Sequence, residues 1–283
     1  MGIGDALKIA FFVLLVLALA LAIMNYIQQA SQPKPVLAMN IPAGLYYKGP
    51  ETTALAGWYC IENINSSNGF SIQLNAWLDN QLTVQDAYGT FVSETTNGRT
   101  WVTYTAFLDN VWGQNNNGTP VPLHVSNPSK DVANAPCAWL VIALKNGVAY
   151  FGYSLDGKSI TWYDSYPVNA NYITTTVPGT PFNSGFTDIV LAGPGNGAQA
   201  QLGSGTLVYL ALYYWNGTAW VPAPVGPSQS FQTAETVNNA WEFTSGYCGG
   251  YVAWFGWNKT NWESPVLPSN LEPVCPSPPS FEP

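Results

Sequence analysis

The stretch Phe70-Ser71-Ile72-Gln73-Leu74-Asn75-Ala76-Trp77-Leu78 alternates without a break. Phe70, Ile72, Leu74, Ala76 and Leu78 point one way, and Ser71, Gln73, Asn75 and Trp77 the other. A period of two predicts a strand with one apolar and one mainly polar face. Runs rich in β-branched and aromatic residues recur at Trp58–Ile64, Thr100–Leu108, Trp139–Leu144, Val148–Ser154, Ile160–Tyr166, Thr187–Ala192 and Thr206–Tyr214, with turn residues between them. Asn97-Gly98, Asp156-Gly157 and Asn216-Gly217 supply the positive φ of tight hairpins, and Trp101, Trp162 and Trp220 follow them to pack on the returning strands. No run after residue 30 has helical period, and no repeat of fixed length occurs. The expected class is therefore all-β, an antiparallel sandwich of jelly-roll type, preceded by one N-terminal transmembrane helix.

That helix rests on Ile9–Met24, sixteen apolar residues extended by Ala6, Leu7 and Ile27. A membrane span needs about 20 residues, and Lys8 can snorkel. A cleaved signal peptide is the rival reading, but Gln28-Gln29-Ala30 lacks the small residues a cleavage site wants, and Val36-Leu37-Ala38 lies far downstream. Lys8 and the amino terminus place the start inside and the remainder outside. The expected layout is a cytoplasmic stub at 1–5, the helix at 6–27, a stalk at 28–43, a β domain at 44–264 and a Pro-rich tail at 265–283. The chain would be a single-pass protein of a cell surface or virion envelope, touching lipid through its helix. Sequons at Asn65, Asn117, Asn216 and Asn258 agree with export. So do Cys60, Cys137, Cys248 and Cys275, which suggest two disulfides with three pairings open. No two cysteines lie within four residues of each other, so a cysteine metal site is disfavoured.

The chain has 283 residues, 8 Lys plus Arg, 16 Asp plus Glu and a net charge of −8. Charged residues are 8% of it, against about 25% in an ordinary soluble domain. Arg99 is the sole arginine and no basic run exists, which excludes a nucleic-acid partner. With few ionisable groups, strong acid has few ways to change stability. Surface ion pairs, a common device against heat, would vanish as carboxylates protonate. The composition thus suits a hot, acidic exterior, and equally suits heavy glycosylation or close packing in a lattice.

Little catalytic chemistry is on offer. His124 is the only histidine, and in acid it is protonated and no base. Gly193-Pro194-Gly195-Asn196-Gly197 is followed by no helical pattern that would aim amides at phosphate. Carboxylates remain, and acid-range hydrolysis wants an acid and a carboxylate near each other. Asp109 ends an aromatic strand, Asp188 begins the strand before the Gly-rich turn, and Glu235 lies in Thr233-Ala234-Glu235-Thr236. For each, the plainer account is a turn or strand-end cap.

Five segments occur in the order seen in the thermopsins, acid proteases of thermoacidophilic archaea, and residues 45–240 resemble that family. They are Phe70–Asn75, Phe107–Trp112, the strand with Gly193–Gly197, Leu212–Gly217 and Thr233–Thr236. The resemblance implies a β-rich exported endopeptidase that uses water attack, without metal or cofactor. Asp188 matches a carboxylate position. Gln232 stands where the family has Asp before the residue matching Glu235, which favours an inactive relative. By analogy with another class of acid protease on a sandwich fold, Gln73 pairs with a carboxylate. Three readings follow: a peptidase acting on a peptide in an aromatic groove, a structural protein self-associating in a surface layer or coat, and a carbohydrate-binding module.

Overall fold

The computed structural model describes residues 14–24, 36–94, 101–115, 119–127, 134–175, 187–195, 197–228, 234–255 and 271–283. Residues 14–24 are an α-helix of apolar residues with exposed side chains. Among the described residues no helix is long and apolar enough to cross a membrane, and the rest of the expected 6–27 span lies outside them.

Pro35–Pro283 form a second unit built on two large sheets. The first runs β1 (Val36–Ala38), β18 (Ala240–Thr244), β19 (Gly249–Trp254), β14 (Thr206–Trp215), β3 (Ala54–Asn63), β8 (Cys137–Lys145), β9 (Val148–Ser154) and β10 (Thr161–Pro167), with β15 (Trp220–Pro222) on β14. The second runs β16 (Val225–Pro227), β2 (Ala43–Tyr47), β12 (Asp188–Ala192), β4 (Phe70–Leu78), β5 (Thr83–Glu94), β6 (Trp101–Gln114) and β7 (Pro120–Val125), with β11 (Ile173–Thr174) on β4. A short parallel pair joins β13 (Gln199–Ala200) to β17 (Thr236–Val237). The three residues of β1 fall within the expected stalk.

The alternation in β4 sets the layers. Ile72, Leu74, Ala76 and Leu78 enter one apolar core with Tyr59, Leu140 and Leu210 of the first sheet. Truncating one such leucine to alanine costs about 3 kcal/mol, part of it the cavity left behind. Tyr59 stacks on Tyr88 with centroids 5.2 Å apart, and Phe107 on Tyr153 at 4.1 Å, so aromatic pairs bridge the sheets. Ser71, Gln73, Asn75 and Trp77 are buried as well. β4 is therefore covered on its polar face too, which alternation alone does not indicate.

Gly157 and Gly217 take the positive φ expected of their hairpins, 67° and 98°. Asn97-Gly98 lies outside the described residues. A further hairpin joins β8 to β9 through Asn146 and Gly147, at φ 53° and 76°, the two positive values of a tight primed turn.

The disulfides pair Cys60 with Cys137, opposite each other on β3 and β8, and Cys248 with Cys275. The second ties down the tail, which packs as a strap on the outer face of the first sheet. Phe281 buries against Trp220, whose Nε1 donates to the Phe281 carbonyl at 2.8 Å, and the Tyr213 hydroxyl donates to the carbonyl of Pro276. Asn65 and Asn216 are exposed, while Asn117 and Asn258 lie outside the described residues.

Candidate active site

The second sheet buries acids on both of its faces. On the outer face, Asp188, Asn75, Gln85 and Asn110 stand side by side across β12, β4, β5 and β6. Asp188 Oδ1 accepts from Asn75 Nδ2 at 2.9 Å, and Oδ2 accepts from Ser228 Oγ at 3.1 Å. Gln85 Nε2 donates to Gln73 Oε1 at 3.0 Å and to Asn75 Oδ1 at 2.8 Å, while Gln85 Oε1 accepts from Asn110 Nδ2 at 2.8 Å. Gln73 Nε2 donates to Ser71 Oγ at 2.9 Å, and that hydroxyl donates to the Gly193 carbonyl at 2.7 Å. Each amide nitrogen carries two N–H groups. Gln73 and Asn75 thus each retain one N–H beyond these bonds, fixed in direction by Gln85. The row runs from buried Asp188 to half-buried Gln85 and Asn110.

On the inner face, Asp86 and Asp109 stand directly opposite each other on β5 and β6. Both are wholly buried. Asp86 accepts from the Tyr163 hydroxyl at 2.6 Å and from the Val141 amide at 3.1 Å. Burial nonetheless pushes its carboxyl well above the usual range; the Tyr163 bond counters this and the neighbouring Asp109 adds to it. Both carboxyl oxygens of Asp109 are buried without a hydrogen-bond partner. Burial pushes Asp109 up to about 7, with Ser126 opposing and the charge of Asp164 reinforcing the rise. His124 Nε2 lies 2.9 Å from Asp164 Oδ2 and 3.7 Å from Asp109 Oδ2. The His124 ring stacks on Tyr166 at 4.8 Å, and this end of the cluster reaches solvent.

Neighbours on a strand point to opposite faces, so Asp109, beside Asn110, faces away from Asp188. Two strands also separate them. Asp109 and Asp188, both expected at one catalytic centre, therefore do not act on the same atom. Glu235 sits at the Gly-rich turn, where its Oε1 accepts from the Gly197 amide at 3.0 Å, as a turn cap does. Among the exposed aromatics, Trp162 meets Tyr150 edge-on at 68°, unlike the coplanar platform on which sugars stack.

Several acids escaped the sequence reading. Asp86 has the parity of Val84 and Tyr88, so an acid at a core position of an alternating strand was the available signal. Glu242, between Trp241 and Phe243, shows the same signal more weakly. Its carboxyl oxygens are buried without a hydrogen-bond partner. Burial pushes Glu242 well up; the amides of Gly44 and Ser228, near it but not within hydrogen-bond geometry, partly counter this and the charge of Asp188 adds to it. Asp164 and Ser228 have no local signal, because distant pairing brings each to its acid.

No curated protein matches the chain. Three of the five resembling segments, including the Gly-rich turn after Asp188, fall within the span where a family is recognised. The family model described as Thermopsin matches residues 137–240, and over that segment the thermopsin resemblance holds.

Proposed function

We propose that this protein is an acid endopeptidase whose working carboxylate is Asp188, assisted by the amides of Gln73 and Asn75. One observation carries the reading: a buried carboxylate lies in a row of oriented amides that keep spare N–H groups on the same face. In this mechanism Asp188 takes a proton from a water as its oxygen attacks the scissile carbonyl. The spare N–H groups of Gln73 and Asn75 donate to the oxyanion that forms, fixed in place before reaction. Asp188 then passes its proton to the leaving amine. Peptide enters from the half-buried end of the row, at Gln85 and Asn110. The family match over residues 137–240 supports the activity class.

The finer expectations belong to the same proposal. The chain is held in a membrane by its apolar N-terminal segment, its β domain lies outside, and it works hot and at low pH. The apolar, exposed helix at 14–24 and the scarcity of charge support this. The experiment is cleavage of denatured casein by the full chain at high temperature across acidic pH, beside Asp188→Asn. Cleavage by the parent and far slower cleavage by the variant is expected. A second reading, a structural coat or surface-layer protein, is favoured by the burial of Asp188 and by its two satisfied oxygens. Absence of cleavage by the parent, with its fold intact, selects that reading.

A further inference from the structure

On the inner face, Asp109 poses a problem that the peptidase proposal does not solve. It is wholly buried, and neither carboxyl oxygen has a hydrogen-bond partner. Asp86 stands opposite it and offers no compensating positive charge. An uncompensated buried carboxylate is far too costly to persist, so it must hold a proton or meet a cation. What it faces is a second acid and an imidazole. Ligand atoms of Asp109, His124 and Asp164 all lie within 4.8 Å of one another. The three come from β6, β7 and the edge strand β10, so they span both sheets.

We propose that Asp109, His124 and Asp164 form a binding site for a divalent transition-metal ion, with zinc as the type, that clips the two sheets together at this edge. One imidazole nitrogen and two carboxylate oxygens are ligands zinc takes, at about 2.0–2.2 Å, and three protein ligands leave a fourth position for water. Small side-chain shifts bring the three atoms to such distances. His124 and Asp164 are partly exposed and provide the entry path, while Asp109 closes the inner side. Tyr166, stacked on His124, fixes the ring plane. The site uses the opposite face of the sheet from Asp188, stands whether or not the protein cleaves peptides, and fills only toward neutral pH, because its ligands must shed protons to bind metal.

The test is titration of the full chain, freed of metal by chelation and dialysis, with Co²⁺ and Zn²⁺ alone near neutral pH, where protons compete least for the ligands. Visible absorption of bound Co²⁺ and the melting temperature with Zn²⁺ are the readouts. Binding of one ion per chain is expected, with a raised melting temperature. Asp164→Asn, at a partly exposed position compatible with folding, and His124→Gln should each weaken binding by at least about 10-fold, since losing a ligand costs no less than losing its outer support. No stoichiometric binding, or equal binding by both variants, overturns the proposal.

Discussion

On the outer face of the second sheet Asp188 receives hydrogen bonds on both oxygens, whereas on the inner face Asp109 receives none. Both residues are buried, so burial alone does not set their chemistry. Neutral donors stabilise a carboxylate as an anion, and their absence lets desolvation favour the protonated acid. The outer face aims donors at a carboxylate, as the proposed reaction needs. The inner face, when no metal ion is bound, is left to hold protons.

The largest test of this contrast sets Asp188→Asn against Asp109→Asn. The first should lower kcat by about 1,000-fold, about 4 kcal/mol of barrier, with the melting curve little changed. The second should leave cleavage near the parent level. The reverse result would move the active site to the inner face. Next in size is Gln73→Leu, which removes one oxyanion donor. It should lower kcat by about 100-fold while KM moves little, in single-turnover and steady-state assays. Asn110→Ala acts only through Gln85, and a loss of about tenfold or less is expected.

The smallest effect is on stability. Asp86 and Glu242 have folded-state values raised above those of the unfolded chain. The folded state therefore binds protons more tightly, and the contribution of these groups is fully present below the unfolded carboxyl value of about 4. It is lost as pH rises through the raised values, a range that for Asp109 ends near 7. The melting temperature, measured with a chelator present, should fall between pH 4 and 8, by about 3 °C per kcal/mol lost. Glu242→Gln should flatten that slope. A melting temperature that rises over the same range would show that the inner acids are ionised. Such a preference for acid would complement the scarcity of charge in the chain, with Asp86, Asp109 and Glu242 most stable with their protons on.

Much of the fold was legible in local pattern. β4 has the bounds of its alternating stretch, Phe70–Leu78, and β9 those of Val148–Ser154. β5 was not legible, because Gln85 and Asp86 interrupt Thr83–Glu94 with polar residues that only the finished sandwich accommodates. Short partners such as β7 and β16 contain proline and take their shape from the strands they join. Of the site, Asp188 and the polar parity of Gln73 and Asn75 could be read from the chain, while Ser228 and Gln85 could not. Glu235, read as an acid of the site, proved to sit on the Gly-rich turn.

By itself the sequence determined what depends on neighbours along the chain: an all-β domain from period-two alternation, hairpins from Asn-Gly and Asp-Gly pairs, and a surface with few charges. Tertiary structure decided which cysteines pair and which acids meet. Asn75 reaches Asp188 across 113 residues, and Tyr163 reaches Asp86 across 77. Such meetings depend on strand order and register, which are set by the packing of the whole core. Which donors and which other acids a buried carboxyl meets is settled there, and both bear on whether the group keeps its charge.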